Sequence, residues 1–400
     1  MLYCPQEGMF VIKINPYRPG AGLKPMYLAG REEEISEAKQ IFEALSMKIP
    51  TQSIIYSGLR GVGKTVLINK LYTIAEAKGI FCRHIEIEEK QDFIAQIAAC
   101  AQTFLREISI RERIKHLITK SIDSIKSLVV SFDPNDNTFS LSVQERELYK
   151  SNSLTQSLTD VFVNIGAVAS ETETPLCFFI DEIQYMKSHE LGALIAALHR
   201  SNQMGYPVMI IGAGLPKIYK MLSEEKSYTE RLFMYKEIGS LDREQSIEAI
   251  AYPVKGFNVE YTDKALNKII DITKGYPYFI QQFCQIIYNN TDSSTIDEND
   301  VENSTEEFFD VLDKGFFKVR YERCSEMDKK FIFAMVRCGE LPCTISNVAK
   351  NMNKTVKSIS PIRAQLINKG LIYAVRHSEL DFTVPEFDGF IKRQSDFAAN

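Results

Sequence analysis

Gly58-Leu59-Arg60-Gly61-Val62-Gly63-Lys64-Thr65 is the stretch on which the fold of this 400-residue chain turns. Ahead of it, Ser53 to Tyr56 is apolar and β-branched, which predicts a short strand. Behind it, Val66, Leu67, Leu71 and Ile74 fall on one stripe and predict a helix over Lys64 to Lys78. Strand, glycine loop and helix in that order make a cradle for phosphate. Glycines let backbone approach the oxygens, amides at the helix start point at the anion, a lysine faces β/γ-phosphate charge, and a hydroxyl serves Mg²⁺. Gly58, Gly63, Lys64 and Thr65 fill those four roles, with Arg60, Gly61, Val62 and Val66 completing the set expected to touch nucleotide. The expected ligands are ATP or ADP with Mg²⁺.

Hydrolysis needs a carboxylate that orients the hydrated metal and a second group that activates water. Downstream, Leu176 to Ile180 is an unbroken apolar run that ends in Asp181-Glu182. Such a run predicts a buried strand, and the carboxyl ends of strands are where open α/β sheets place their ligands. Asp181 is therefore expected to join Thr65 at the metal, and Glu182 to be the catalytic carboxylate. An Asp-Glu pair by itself is usually a solvated turn; the apolar run and the loop upstream are what favour chemistry here.

Around these motifs the pattern alternates. Further strands are expected at Phe81 to Ile87 and Pro207 to Ile211, and helices over Arg31 to Met47, most of Gln91 to Lys120, roughly 153 to 170 and 189 to 203, so the sheet should be parallel. Residues 1–30 read as an irregular arm rich in Pro, Gly and Tyr. β-rich runs flanking Asp133-Pro134-Asn135-Asp136-Asn137 suggest a hairpin insertion near 127–143. After Gly239 only helices are expected, and from Ser325 three helices followed by a two-stranded ribbon suggest a winged helix, whose third helix would start near Ser358 because Pro361 suits only a first turn. The domain expectation is an α/β nucleotide-binding domain over 1–240 with the arm and the insertion, a helical lid over 241–320 and a winged helix over 321–400.

Composition sets broad limits. The apolar fraction of 45% and charged fraction of 25% are those of an ordinary soluble domain protein, and no segment nears the length needed to span a bilayer. The beginning, Met1-Leu2-Tyr3-Cys4-Pro5, lacks a basic and then apolar leader, so the cytoplasm is the expected location. The 8 cysteines form no C-x-x-C pair and read as reduced and structural. Cys338 and Cys343 lack a second nearby pair that would complete a zinc site. The net charge of −5 argues against nucleic-acid binding by the whole surface. Yet Leu341 to Ser378 carries Lys350, Lys354, Lys357, Arg363, Lys369 and Arg376 with no acid among them.

These motifs together resemble the AAA+ P-loop ATPases of the bacterial and archaeal group related to origin-licensing and STAND-type ATPases. The likeness rests on Leu28-Ala29-Gly30-Arg31-Glu32, the P-loop, Phe179-Ile180-Asp181-Glu182, Ile211-Gly212-Ala213-Gly214-Leu215-Pro216 and Gly275-Tyr276-Pro277-Tyr278. It implies that Tyr17 and Arg31 border the adenine, that Tyr276 and Pro277 contact the base, and that Mg·ATP binds between module and lid. Arg231, in Ser227 to Phe233, resembles the arginine finger offered to a neighbouring subunit, the plain alternative being a surface salt bridge. Two departures point to slow hydrolysis: the fourth strand ends in Ile-Gly-Ala-Gly where many relatives carry a polar sensor, and no lid arginine is evident. Lys354, Lys357, Arg363, Lys369 and Arg376 would form a duplex-DNA surface if the C-terminal unit binds DNA; the competing expectation is a solvated face on a protein-interaction module. The function expected is an ATP-dependent DNA-associated switch in replication, transposition or mobile-element control. The alternative is a signalling or defence switch that controls protein assembly, with little turnover and no DNA.

Overall fold

Parallel strands need long crossover connections, usually helices, and lie buried on both faces, so they read as continuous apolar runs. The computed structural model, which describes residues 14–88, 92–108, 114–132, 153–225, 227–376 and 378–394, shows such a sheet. Its strands are β1 (Ser53–Ser57), β2 (Phe81–Glu86), β3 (Leu176–Asp181), β4 (Val208–Gly214) and β5 (Phe233–Glu237). All pairings are parallel and the order is β2-β3-β4-β1-β5. Every residue of β1, β3 and β4 is buried, whereas β5, at the edge, is half-exposed over most of its length. That exposure is why Phe-Met-Tyr-Lys-Glu carries no strand signature in the sequence.

Helix α1 (Glu32–Ser46) precedes the sheet, and the crossovers are α2 (Lys64–Ala77), α3 (Phe93–Glu107), α4 (Lys115–Phe132), α5 (Leu154–Thr172), α6 (Ser188–Gln203), α7 (Ile218–Glu225) and α8 (Thr229–Leu232). Phe104 of α3 meets Phe81, and Phe162 of α5 meets Phe178, so helices and sheet share one core. The expected hairpin is corrected over Ser127 to Phe132, which is the last part of α4. Buried Ile118, Ile125, Leu128 and Val129 continue one helical stripe, and this tertiary burial outweighs the β-branched composition. The remainder of that expectation, 133–143, lies outside the described residues.

Two compact units emerge. One comprises Arg31–Gly239 with Glu326–Asn400, the other Met1–Gly30 with Ser240–Ser325. In the second, α9 (Arg243–Ala251), α10 (Asp263–Thr273), α11 (Pro277–Asn290), α12 (Glu298–Val311) and α13 (Lys318–Tyr321) are joined by a short parallel pair, β6 (Glu260–Tyr261) with β7 (Thr295–Ile296). The expectation of helices only was therefore incomplete. Asp242, Thr262 and Asp297 cap α9, α10 and α12 with their side chains. The described part of the arm, residues 14–30, belongs to this helical unit rather than to the α/β module. Asn15 donates to Gln285 O at 2.9 Å, Arg18 N to Gln281 Oε1 at 3.0 Å, and buried Tyr17 donates its hydroxyl to Ile250 O.

Residues 326–394 form α14 (Glu326–Val336), β8 (Cys343–Thr344), α15 (Ile345–Asn351), α16 (Val356–Asn368), β9 (Ile372–Arg376), β10 (Glu379–Phe382) and α17 (Phe387–Arg393). The strands pair antiparallel in the order β8-β10-β9. Helix α16 starts two residues before Ser358 because Thr355 caps it, its side chain accepting from Ser358 N. Pro361 thus sits inside the helix. Its missing N–H strips a bond from the Lys357 carbonyl, but both residues face solvent, where water replaces the partner.

Among the described residues, no helix is long and apolar enough to cross a membrane.

Candidate functional site

The loop after β1 and the end of β3 lie on one edge of the sheet, with β4 between them. Gly61 (φ 84°) and Gly63 (φ 93°) occupy the left-handed region, where a side chain strains the backbone. A Cβ at Gly63 would meet nothing within 4 Å, so backbone conformation, not crowding, selects glycine there. At Gly58 the reason differs: a Cβ would come within 2.1 Å of Ile238 O.

Buried Lys64 leads α2 and donates from Nζ to Gly58 O at 3.0 Å and Leu59 O at 2.8 Å. Burial lowers its pKa from the ordinary amine value, and the carboxylates of Glu182 and Asp181 oppose that shift. Thr65 Oγ1 donates to Asp181 Oδ2 at 2.6 Å, while Glu182 N donates to Asp181 Oδ1 at 2.8 Å. Two residues 116 positions apart thus put a hydroxyl and a carboxylate together, and such hard oxygen donors fit a magnesium ion. Val62 is buried and Val66 half-buried beside them.

Glu182 is a non-glycine residue at φ 55°, ψ 34° and starts the 3₁₀ turn Ile183–Tyr185. A left-handed conformation of this kind costs about 1 kcal/mol or more and persists where surroundings enforce it. Here the Glu182 backbone is held on both sides, its N–H on Asp181 Oδ1 and its carbonyl accepting from Tyr185 N at 3.0 Å. Its side chain meets Gln184, whose amide nitrogen donates to Glu182 Oε2 and whose amide oxygen accepts from Leu215 N at 2.9 Å. Arg60 of the loop donates to the Tyr185 hydroxyl. Neither Gln184 nor Tyr185 was singled out in the sequence. The legible signal was a glutamine two residues after Glu182, and only the folded turn shows that its amide reaches that carboxylate.

Arg31, 6% exposed, donates to Val62 O at 3.1 Å and to Gly239 O at 2.7 Å, so it ties the phosphate loop to the end of the α/β module. Tyr17 and Tyr276 are buried inside the helical unit, with Pro277 as the first residue of α11. The Tyr17 hydroxyl lies 2.9 Å from that of Tyr261 as well as on Ile250 O, so ring and hydroxyl are committed to packing there. Gly275 (φ 69°) allows the close approach in which Leu241 N donates to Gly275 O at 2.9 Å.

Arg231 is exposed at the end of α8, and Gln52 donates to its carbonyl at 2.9 Å. It precedes β5, whose first residue pairs with Ser53, the first of β1. The phosphate loop follows the other end of β1, a strand length of roughly 13 Å away. Arg231 and the chain's own loop therefore lie at opposite edges of the sheet.

The C-terminal cations separate into classes. Lys354 and Lys357 are exposed at the start of α16. Arg363 is half-buried on the flank that faces inward, its Nε without a hydrogen-bond partner. Lys369 donates to Asp328 Oδ2 at 2.6 Å, and Asp328 is fully buried. Lys369 thus has a structural task of its own, since a buried carboxylate needs its counter-charge. Arg376, 80% exposed, stands 3.9 Å from Glu379. Between α16 and β9, Gly370 (φ 67°) packs so closely that a Cβ would come within 3.2 Å of Leu215 Cδ1 and 3.3 Å of Arg60 Nη2.

Residues 27–211 match the family described as AAA ATPase domain, and residues 314–391 match a domain of unknown function, DUF8462. Among curated proteins, none matches the sequence. Among solved structures, a Walker-type ATPase of Pyrococcus abyssi is 14% identical with a TM-score of 0.54, over 91% of this chain and 96% of that one. The Orc1 protein of Aeropyrum pernix in complex with DNA is 12% identical with a TM-score of 0.43, over 94% and 95%. The RuvB branch-migration motor of Thermotoga maritima is 14% identical with a TM-score of 0.44, over 94% and 99%. At these identities the likeness to the Pyrococcus protein is one of fold.

Proposed function

From the premise that residues 27–211 are a P-loop AAA+ ATPase domain, we propose that the protein binds and hydrolyses ATP and uses the nucleotide state as a DNA-associated switch. The observation that carries the nucleotide half is the 2.6 Å contact of Thr65 with Asp181, beside Lys64 and Glu182. Backbone amides from Arg60 to Thr65 would cradle the phosphates, and Lys64 would exchange its bonds to Gly58 and Leu59 for β/γ-phosphate oxygens. Thr65 and Asp181 would hold a magnesium ion, which neutralises phosphate charge when bound. Glu182 would accept hydrogen-bonded water and orient it for attack. Replacing Glu182 by Gln keeps the shape and removes the proton acceptor. ATP should remain bound while single-turnover hydrolysis falls by roughly 10²- to 10⁴-fold; a wild-type rate would remove Glu182 from this role.

The DNA half is supported by Lys354 and Lys357, exposed together at the start of a helix that is followed by an antiparallel ribbon. Such a helix presents its first turn to phosphate or to base edges.

Assembly through Arg231 is favoured by a different observation. Around it, Met47, Ile49 and Met204 are 71%, 51% and 44% exposed, beside a groove of about 230 Å³ lined by Ile49, Gln52, Tyr206 and Arg231. At the edge opposite its own phosphate loop, Arg231 would serve only a neighbour's nucleotide. Mixing Arg231→Ala with Glu182→Gln tests this: recovery of turnover between two inactive variants supports a shared site, and none at assembling concentrations leaves Arg231 a surface residue.

A further inference from the structure

The end of β4 carries no polar side chain that could help hold a reacting water, only Gly212-Ala213-Gly214. Those glycines have a packing consequence. A Cβ at Gly212 would come within 2.3 Å of Ile183 Cδ1, and one at Gly214 within 2.7 Å of Gln184 Oε1. The bare strand therefore admits the turn that follows β3, and Gln184 enters beside it, only 3% exposed.

The orientation of that amide is determined by chemistry. Leu215 N–H can only donate, so it requires the amide oxygen, which sits 2.9 Å away. The amide nitrogen is then left to face Glu182 Oε2, an acceptor when ionised. The two bonds run in series from the backbone of Leu215, just past β4, to the carboxylate.

We propose that Gln184 is a positioning residue for ATP hydrolysis, holding the Glu182 carboxylate in one orientation and anchoring it to the backbone at Leu215, the residue that follows β4. The inference rests on the ATPase role of Glu182 given above. It assigns to an amide on the β3 turn the restraint that β4, lacking a polar side chain, does not supply.

Two variants test it. Gln184→Met keeps length and removes both bonds. Gln184→Glu keeps an oxygen for Leu215 N–H but sets a second carboxylate against Glu182. Partners that orient a reacting side chain typically contribute about 10- to 100-fold. Both variants should therefore lower kcat by roughly that factor while KM and the dissociation constant for ATP, measured by titration on the folded protein, stay within about twofold. In a Glu182→Gln background neither should lower the residual rate further, since a residue acting through Glu182 has nothing left to act on. Wild-type kcat in Gln184→Glu would show that only the Leu215 anchor matters and overturn the proposal. Equal losses with and without Glu182, or a loss confined to ATP affinity, would also overturn it. If wild-type protein binds ATP without turnover, the hydrolytic role of Glu182 fails and this proposal with it. Turnover that Gln184→Met leaves unchanged defeats the proposal alone.

Discussion

The phosphate-loop edge of the sheet and the C-terminal helix α16 each gather charged residues, and they differ in what sets the role of each charge. In the first, Lys64 and Thr65 are consecutive at a helix start, and Asp181 and Glu182 are consecutive at a strand end. Local geometry aims them, and parallel pairing of β3, β4 and β1 brings the two pairs together. In the second, Lys354, Lys357, Arg363, Lys369 and Arg376 span a helix and a ribbon, and the face each occupies decides its task. Lys369, just past the end of α16, neutralises a buried acid, while Lys357, in the first turn of that helix, is exposed. A charge inside a local motif carries its function with it; a charge in a run takes its function from what packs beneath.

The contrast is sharpest at Lys64. Lys64→Ala removes a buried cation that no neighbour replaces, and losing one partner of a desolvated charge contact costs about 2–5 kcal/mol or more. ATP affinity should fall by roughly 1000-fold, about 4 kcal/mol, in calorimetric titration. Unchanged affinity would break the motif half of the comparison.

Lys369→Met should act on stability instead. It removes the ion pair that Lys369 gives to fully buried Asp328, and breaking such a pair typically costs about 3–5 kcal/mol. Because Lys369 keeps partial solvent contact, a loss near 3 kcal/mol is expected in urea unfolding, with part of it recovered by adding Asp328→Asn. Stability within about 0.5 kcal/mol of wild type would return Lys369 to the surface class.

On DNA the order reverses. Replacing Lys354 and Lys357 together by Ala should flatten the slope of log affinity against log salt by about 1.8, since each phosphate contact contributes about 0.9. Lys369→Met should leave that slope alone. An unchanged slope in the double variant would move the C-terminal domain from DNA to protein partners. The smallest effect belongs to Arg376→Ala, about 0.9 in slope and under about 0.5 kcal/mol in stability, because its pairing with Glu379 is long and exposed.

The strand-loop-helix unit, the two carboxylates and the alternation that builds a parallel sheet were legible in the sequence, because each depends on neighbours within a few positions. Buried strands announce themselves as apolar runs, and a left-handed loop announces itself as glycine. Strand β5 was not legible, since an edge strand exposes most of its residues, and Ser127 to Phe132 was misleading, since β-branched residues on a buried stripe serve a helix equally well. Only the tertiary structure decided the rest. It put Thr65 on Asp181, turned Gln184 onto Glu182 through the space left by Gly212 and Gly214, and gave Arg31 the carbonyls of Val62 and Gly239. It also paired Lys369 with Asp328 across 41 positions. Local propensity and pattern act over one turn or one strand. Which distant donor meets which acceptor is settled by packing, where a missing Cβ or a buried charge chooses the partner.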